Sequence, residues 1–203
     1  APSMLALEHE ERTGEEFLQA SLTAIDDTSG ILSLSLIVNG LEVWQSSDHE
    51  EGDSEASSNP TIPLPASTYG EGSLLLEWMA EDIAGNILHI QRTVILDRTA
   101  PLFNLVRLEN SLDGIWVSTS QPQWTWSVYD ALDTNIYMTL DIDGVAIIDN
   151  ASPNWFNRAI PDITMPNGTH LLTISATDSV GNAAQRIVTF GIDTTTPECN
   201  AAS

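Results

Sequence analysis

The side chains best equipped to do chemistry in this sequence are aspartates placed at turns. Asp82 and Asp178 each open the pattern D-x-x-G-N, the pair Asp26-Asp27 and the pair Asp130 with Asp133 follow strand-like stretches, and Asp97 begins a D-x-T-x-P segment. A carboxylate at such a position can accept hydrogen bonds from the amides of its own turn. Several carboxylates brought together also offer the hard oxygen ligands that Ca²⁺ takes. Both uses need the same residues, so a turn that only closes a hairpin and a turn that also ligates calcium stay open at this point.

Other chemistry has less to stand on. His9, His49, His89 and His170 are scattered without H-E-x-x-H spacing, and the lone Cys199 excludes an internal disulfide framework and a four-cysteine zinc site. Chance alone pairs carboxylates when 29 of 203 residues are acidic, so pairs do not point to glycoside hydrolysis. His49 lies in an acidic loop with Asp48, Glu50, Glu51, Asp53 and Glu55, but no second histidine stands at ligand spacing, which disfavours a transition metal. The stretch Glu8 to Glu16 is a second acidic loop. The expectation is a protein that is not an enzyme.

Charge narrows the partners. The formal net charge is −23, and all six basic residues are arginine. Nucleic acids and anionic membrane surfaces are bound through basic residues, so neither is an expected partner. The longest apolar runs fall well short of the roughly 20 residues of a membrane helix, so direct membrane insertion is not expected.

The positioning elements follow from an internal repeat. Gly70 to Pro101 aligns without a gap on Pro166 to Pro197, matching Leu75 to Leu171, Ala80 to Ala176, Asp82 to Asp178, Asn86 to Asn182, Asp97 to Asp193 and Pro101 to Pro197. Ala1-Pro2 reads like Ala100-Pro101, so the chain is expected to be a piece of a longer array. Within each repeat the hydrophobic period is two, with no convincing helical stretch. Leu18, Ala20, Leu22 and Ala24 share one face, as do Leu32, Leu34, Leu36 and Val38, which run into an Asn39-Gly40 hairpin signal. In the second repeat Trp124, Trp126 and Val128 alternate with polar residues, and Ile136, Met138, Leu140 and Ile142 lead to Asp143-Gly144. The last two strands are expected at Leu74 to Glu81 with Ile87 to Leu96, and at Thr169 to Thr177 with Ala183 to Ile192. The fold class is therefore all-β: two tandem immunoglobulin-like β-sandwiches of about seven strands each. Domain 1 spans 1–97, a linker 98–100, domain 2 101–193, and 194–203 forms a linker toward a further repeat.

The blocks Ala80 to Asn86 with Asp97 to Pro101, and Ala176 to Asn182 with Asp193 to Pro197, make the chain resemble the tandem immunoglobulin-like repeats of prokaryotic cell-surface and adhesin proteins. Such units commonly end A-x-D-x-x-G-N, a strand, then D-x-T-x-P, and usually lack the cysteine pair of antibody domains. The resemblance implies a non-catalytic structural or adhesive spacer in a larger extracellular or cell-surface protein. Its partners would be neighbouring repeats of the same polypeptide, with a surface protein or glycan as ligand.

In a sandwich of this connectivity, the loops after the second strand and before the last lie at the end where the chain enters. Asp130, Asp133 and Asp178 are thus expected near the linker carrying Asp97, as a calcium site that stiffens it, with Asp26, Asp27 and Asp82 forming a weaker counterpart in the first repeat. The alternative function is a carbohydrate-binding accessory module of a secreted hydrolase. That reading needs exposed tryptophan. Trp78, Trp124 and Trp126 fall on inward phases, which leaves Trp44, Trp116 and Trp155 to build any aromatic platform. Asn150-Ala151-Ser152 and Asn167-Gly168-Thr169 match the N-glycosylation pattern.

Overall fold

The computed structural model describes residues 3–6, 12–46, 53–108, 116–151, 158–159 and 164–199. His9, His49, Trp155, Ser152 and the parts of the two acidic loops at 8–11 and 47–52 lie outside the described residues. The chain divides into two compact units, Ala1–Arg98 and Thr99–Ser203. Among the described residues no helix is long and apolar enough to cross a membrane.

The first unit contains β1 (Ser3–Ala6), β2 (Arg12–Thr13), β3 (Phe17–Gln19), β4 (Leu22–Ile25), β5 (Ile31–Val38), β6 (Leu41–Gln45), β7 (Glu55–Ser58), β8 (Thr61–Pro63), the short helix α1 (Ala66–Tyr69), β9 (Gly72–Asp82) and β10 (Ile87–Leu96). The second contains β11 (Leu102–Leu108), β12 (Trp116–Val117), β13 (Gln123–Tyr129), β14 (Tyr137–Ile142), β15 (Val145–Ala151), β16 (Arg158–Ala159), β17 (Gly168–Thr177) and β18 (Ala183–Ile192). Three-stranded and five-stranded sheets recur in the same order: β1-β4-β7 with β2-β10-β9-β5-β6, then β11-β13-β16 with β12-β18-β17-β14-β15. In both units a two-residue strand, β2 or β12, runs parallel to the last strand while the other named pairings are antiparallel. Three strands facing five around one apolar layer, in this crossed-over order, is an immunoglobulin-like sandwich.

Strand numbers exceed the expected seven among the described residues because stretches that read as one strand are divided between sheets. Leu18 to Ala24 alternates without a break, yet β3 pairs with β8 while β4 pairs with β1 and β7. The alternation itself holds across the division, since Leu18, Ala20, Leu22 and Ala24 are all buried. One expected phase is corrected. Leu32 is exposed and Ile31 is buried in its place, because the β5–β9 register shifts between Ile31 and Ser33, and a bulge turns the next side chain to the opposite face. From Leu34 onward the expected phase holds through Leu36 and Val38.

Each unit closes over its own core. Leu22, Ala24, Leu34, Leu36, Leu76, Trp78 and Val94 form the first, while Trp124, Trp126, Leu140, Leu172, Ile174 and Phe190 anchor the second. The Trp124 and Phe190 rings meet edge-on, with centroids 5.0 Å apart and planes at 77°. Burial of a large apolar side chain is worth roughly 1.5 to 3 kcal/mol, and these interlocked strands hold the turns at the sandwich ends in fixed register.

Candidate metal centre

In the second unit β13 ends one residue before Asp130, and Asp133 follows in the same loop leading to β14. Asp178 stands directly after β17 and opens the turn into β18. Asp130 Oδ1 accepts the amides of Leu132 (2.8 Å) and Asp133 (2.9 Å), which curls the first loop back on itself. Asp133 Oδ1 accepts the Asn135 amide at 2.8 Å, and its Oδ2 accepts both the Ser179 amide, at 2.8 Å, and the Ser179 hydroxyl. That carboxylate therefore ties the β13–β14 loop to the β17–β18 turn across 46 residues of sequence.

Asp178 is held by its own turn. Its Oδ1 accepts the amides of Val180 (3.0 Å) and Asn182 (2.8 Å), and its Oδ2 accepts Asn182 Nδ2 at 2.7 Å. Gly181 supplies the φ of 97° that lets the chain reverse there. Asp133 and Asp178 are buried, and one carboxylate oxygen of Asp130 lies within 4.8 Å of one of Asp178. Asp130 Oδ2 is shielded from solvent and accepts no hydrogen bond. A buried carboxylate oxygen without a donor is costly, and two carboxylates this close repel one another. A cation with oxygen preference would relieve both.

The first unit builds the same end differently. Asp26, just past β4, accepts the amides of Thr28 (2.8 Å), Ser29 (2.8 Å) and Gly30 (3.4 Å) on a single oxygen. Those amides, Ser29 foremost and then Thr28, lower the Asp26 carboxyl from the usual 3.8 to about 2. Asp82 closes β9, accepting the Asn86 amide on Oδ1 and Asn86 Nδ2 on Oδ2, each at 2.7 Å. Asn86 is also the main cause of its lowered pKa, which burial and the nearby Asp26 charge oppose. Asp27 is exposed. Asp97 follows β10, fully buried; its amide donates to the Thr13 carbonyl and its Oδ2 pairs with Arg12 Nη1 at 3.2 Å. In the second unit the Asp193 amide makes the matching bond to Val117, while its carboxylate turns to Thr195.

Two features here escape sequence reasoning. His170 is buried with both ring nitrogens facing acceptors, Asp143 Oδ2 at 2.7 Å from Nδ1 and the Pro166 carbonyl at 2.9 Å from Nε2. The partners stand 27 residues apart, and only the repeat register, which sets Asp143 beside the β17 start, could have suggested it. Trp116, which the sequence left among the candidates for an aromatic platform, is 59% exposed, but its seat over Gly191 could not be read from sequence. Of the other tryptophans, Trp78, Trp124 and Trp126 are buried as their strand phases implied, and Trp44 packs half-buried against the first core. Asn167, in the second glycosylation pattern, is exposed with its Oδ1 accepting from the amide and hydroxyl of Thr194.

No family model matches this chain, and no curated protein matches it. Among solved structures it is similar to the fibronectin(III)-like modules of Clostridium thermocellum CbhA, at 13% identity and a TM-score of 0.39 over 100% of both chains. It is also similar to a 1.5-MDa bacterial ice-binding adhesin, at 17% identity and a TM-score of 0.47 over 91% of this chain and 60% of that one. The titin immunoglobulin tandem A164-A165 is similar at 12% identity and a TM-score of 0.33, over 94% of this chain and 98% of the other. At such identities and scores, the immunoglobulin-like description stands on the strand order given above.

Proposed function

We propose that this chain is a non-catalytic, calcium-stiffened structural and adhesive segment of an extracellular or cell-surface repeat protein. Supporting the structural role is the same sheet order built twice, each copy ending in the D-x-x-G-N turn and a D-x-T-x-P segment. Such modules stack as self-contained units whose partners are further repeats of the same polypeptide. A surface of this acidity, at −23, suits a hydrated extracellular segment.

The observation that carries the calcium role is the donorless Asp130 Oδ2 on a carboxylate that also brings an oxygen within 4.8 Å of one of Asp178. Asp130 and Asp178 would supply oxygen ligands from two loops that the ion locks together, with solvent and backbone carbonyls completing the six to eight oxygens that Ca²⁺ takes, while Asp133, both of whose oxygens accept hydrogen bonds, ties the same two loops. Thermal melting of the full chain with millimolar calcium and then with EDTA tests it. Calcium at about a hundredfold excess over its Kd adds about 2.7 kcal/mol, and Asp130→Asn should abolish that gain. An unchanged melting curve at millimolar calcium overturns the calcium role. For the repeat-protein role, the coding sequence on either side should carry more copies of the paired motifs.

A further inference from the structure

We propose that the outer face of the five-stranded sheet in the second unit carries a binding platform for a neutral pyranose sugar, centred on Trp116. The site is separate from the aspartate cluster and independent of the calcium proposal.

The geometry begins with a glycine inside a strand. Gly191 sits in β18 between Phe190 and Ile192, both buried against the core, so its own missing side chain would point outward. Glycine in a strand interior weakens it and often marks a close approach by another group. Here that group is the Trp116 indole: a Cβ on Gly191 would meet Trp116 Cδ2 at 2.4 Å and Cε3 at 2.5 Å. β12 pairs with β18 so that Trp116 stands beside Gly191, and the ring lies down over the glycine. With one side of the indole seated on backbone, the 59% exposure of Trp116 is the opposite side and the rim, a flat aromatic surface parallel to the sheet.

The first unit shows what this position looks like without a platform. β2 and β10 pair Arg12 with Ile95 where β12 and β18 pair Trp116 with Gly191. Both residues have changed together: the β-branched side chain is removed and a flat ring fills the space. Beside the ring, the same face carries Thr169, which pairs with Gly191, and Thr189, which pairs with Leu171. Thr169, Leu171 and Thr189 are exposed.

This chemistry selects the occupant. A flat aromatic side meets the apolar C–H face of a pyranose, and threonine hydroxyls can donate to and accept from sugar hydroxyls. The chain's −23 charge repels anionic ligands, and the exposed carboxylates nearby, Asp143 at the Leu171 amide and Asp193 two residues past Gly191, lie outside these four residues. A neutral sugar needs neither.

Affinity electrophoresis of the full chain tests this in native gels containing hydroxyethylcellulose, galactomannan or dextran. Retardation is expected in at least one gel, and Trp116→Ala should weaken it about tenfold or more, a loss of 1.4 kcal/mol per tenfold. Gly191→Val, which pushes the ring off the sheet, should weaken it as well. Added polysaccharide should also shift the tryptophan fluorescence of the parent but not of Trp116→Ala. The alternative role for the ring is purely structural, covering a strand glycine. Absence of retardation in all three gels, or retardation that Trp116→Ala retains, overturns the proposal, whatever either variant does to the melting temperature.

Discussion

The two units share one strand order but differ in how they spend charge. Where Ile83 in the first donates its amide to the Gly30 carbonyl, Ser179 in the second donates to the Asp133 carboxylate. Where Leu75 donates to Asn39 at the hairpin, Leu171 donates to Asp143, and Leu74 gives way to the buried His170. The same structural bonds are made with neutral acceptors in one unit and with carboxylates in the other. The backbone topology therefore tolerates either.

If the shared part is the core, then its disruption should cost both units alike. Trp126→Ala in the second and Trp78→Ala in the first should each lose about 3 to 5 kcal/mol, the range for truncating a large buried aromatic. Both rings are almost wholly buried, at 2% and 1% exposure. Chemical denaturation followed by hydrogen exchange on peptides from each unit measures the two losses separately. A loss below about 1 kcal/mol for either variant would mean that the two cores are not equivalent, since surface changes have effects of that size.

Much of this core was legible in sequence, and the reason is local. Ile87–Leu96 and Ala183–Ile192 have the bounds that their alternation implied, and Trp124, Trp126, Met138 and Leu140 face inward on the expected phase. Period-two burial and the Asn39-Gly40 signal need only neighbouring residues; Asn39 and Gly40 indeed adopt φ of 48° and 83°. What the sequence did not reveal depends on distant partners. The bulge that exposes Leu32 is set by the register against β9, and the transfer of the chain from β3 to β4 is set by β8 and β7. The Asp133–Ser179 bond, the His170–Asp143 pair and the seat of Trp116 on Gly191 likewise join residues far apart in the chain.

The hairpin difference predicts a pH response in the second unit's hairpin that the first unit's hairpin lacks. Burial opposes the charge on His170, but its hydrogen bonds to Asp143 and to the Pro166 carbonyl outweigh it and raise the imidazole above its usual 6.5. His170 also lowers the Asp143 carboxyl below 3.8. The raised histidine adds stability that is complete below pH 6.5 and lost as pH rises through its folded value. The lowered aspartate adds stability that is present above pH 3.8 and lost as pH falls through its folded value. The second unit should be most stable between these limits. Asp143→Asn with His170→Leu installs the first unit's residues and should flatten that profile, with a change of about 1 kcal/mol at pH 5.5, since Asp143 is half exposed and screened. Melting temperatures from pH 3 to 9 give the readout. A parent profile that keeps rising from pH 5 to 8 would contradict the charged pair.

The smallest effect belongs to the first unit's turn, where the charge is held by backbone rather than by another side chain. Asp26 takes three amides on one oxygen, and its carboxyl is lowered to about 2. Its contribution is present above pH 3.8 and is lost only as pH falls through about 2, so the turn should survive acidification that protonates ordinary carboxylates. The amide proton shifts of Thr28 and Ser29, followed by NMR from pH 5 downward, should titrate with a midpoint near 2 in the parent. In Asp26→Asn the same amides should be shifted at neutral pH and flat through that range, because a neutral carbonyl accepts more weakly than a carboxylate. A parent midpoint near 3.8 would show that the three amides do not converge on the charge. The contrast between a turn sealed by its own backbone and a cluster left with a donorless oxygen would then lose its first half.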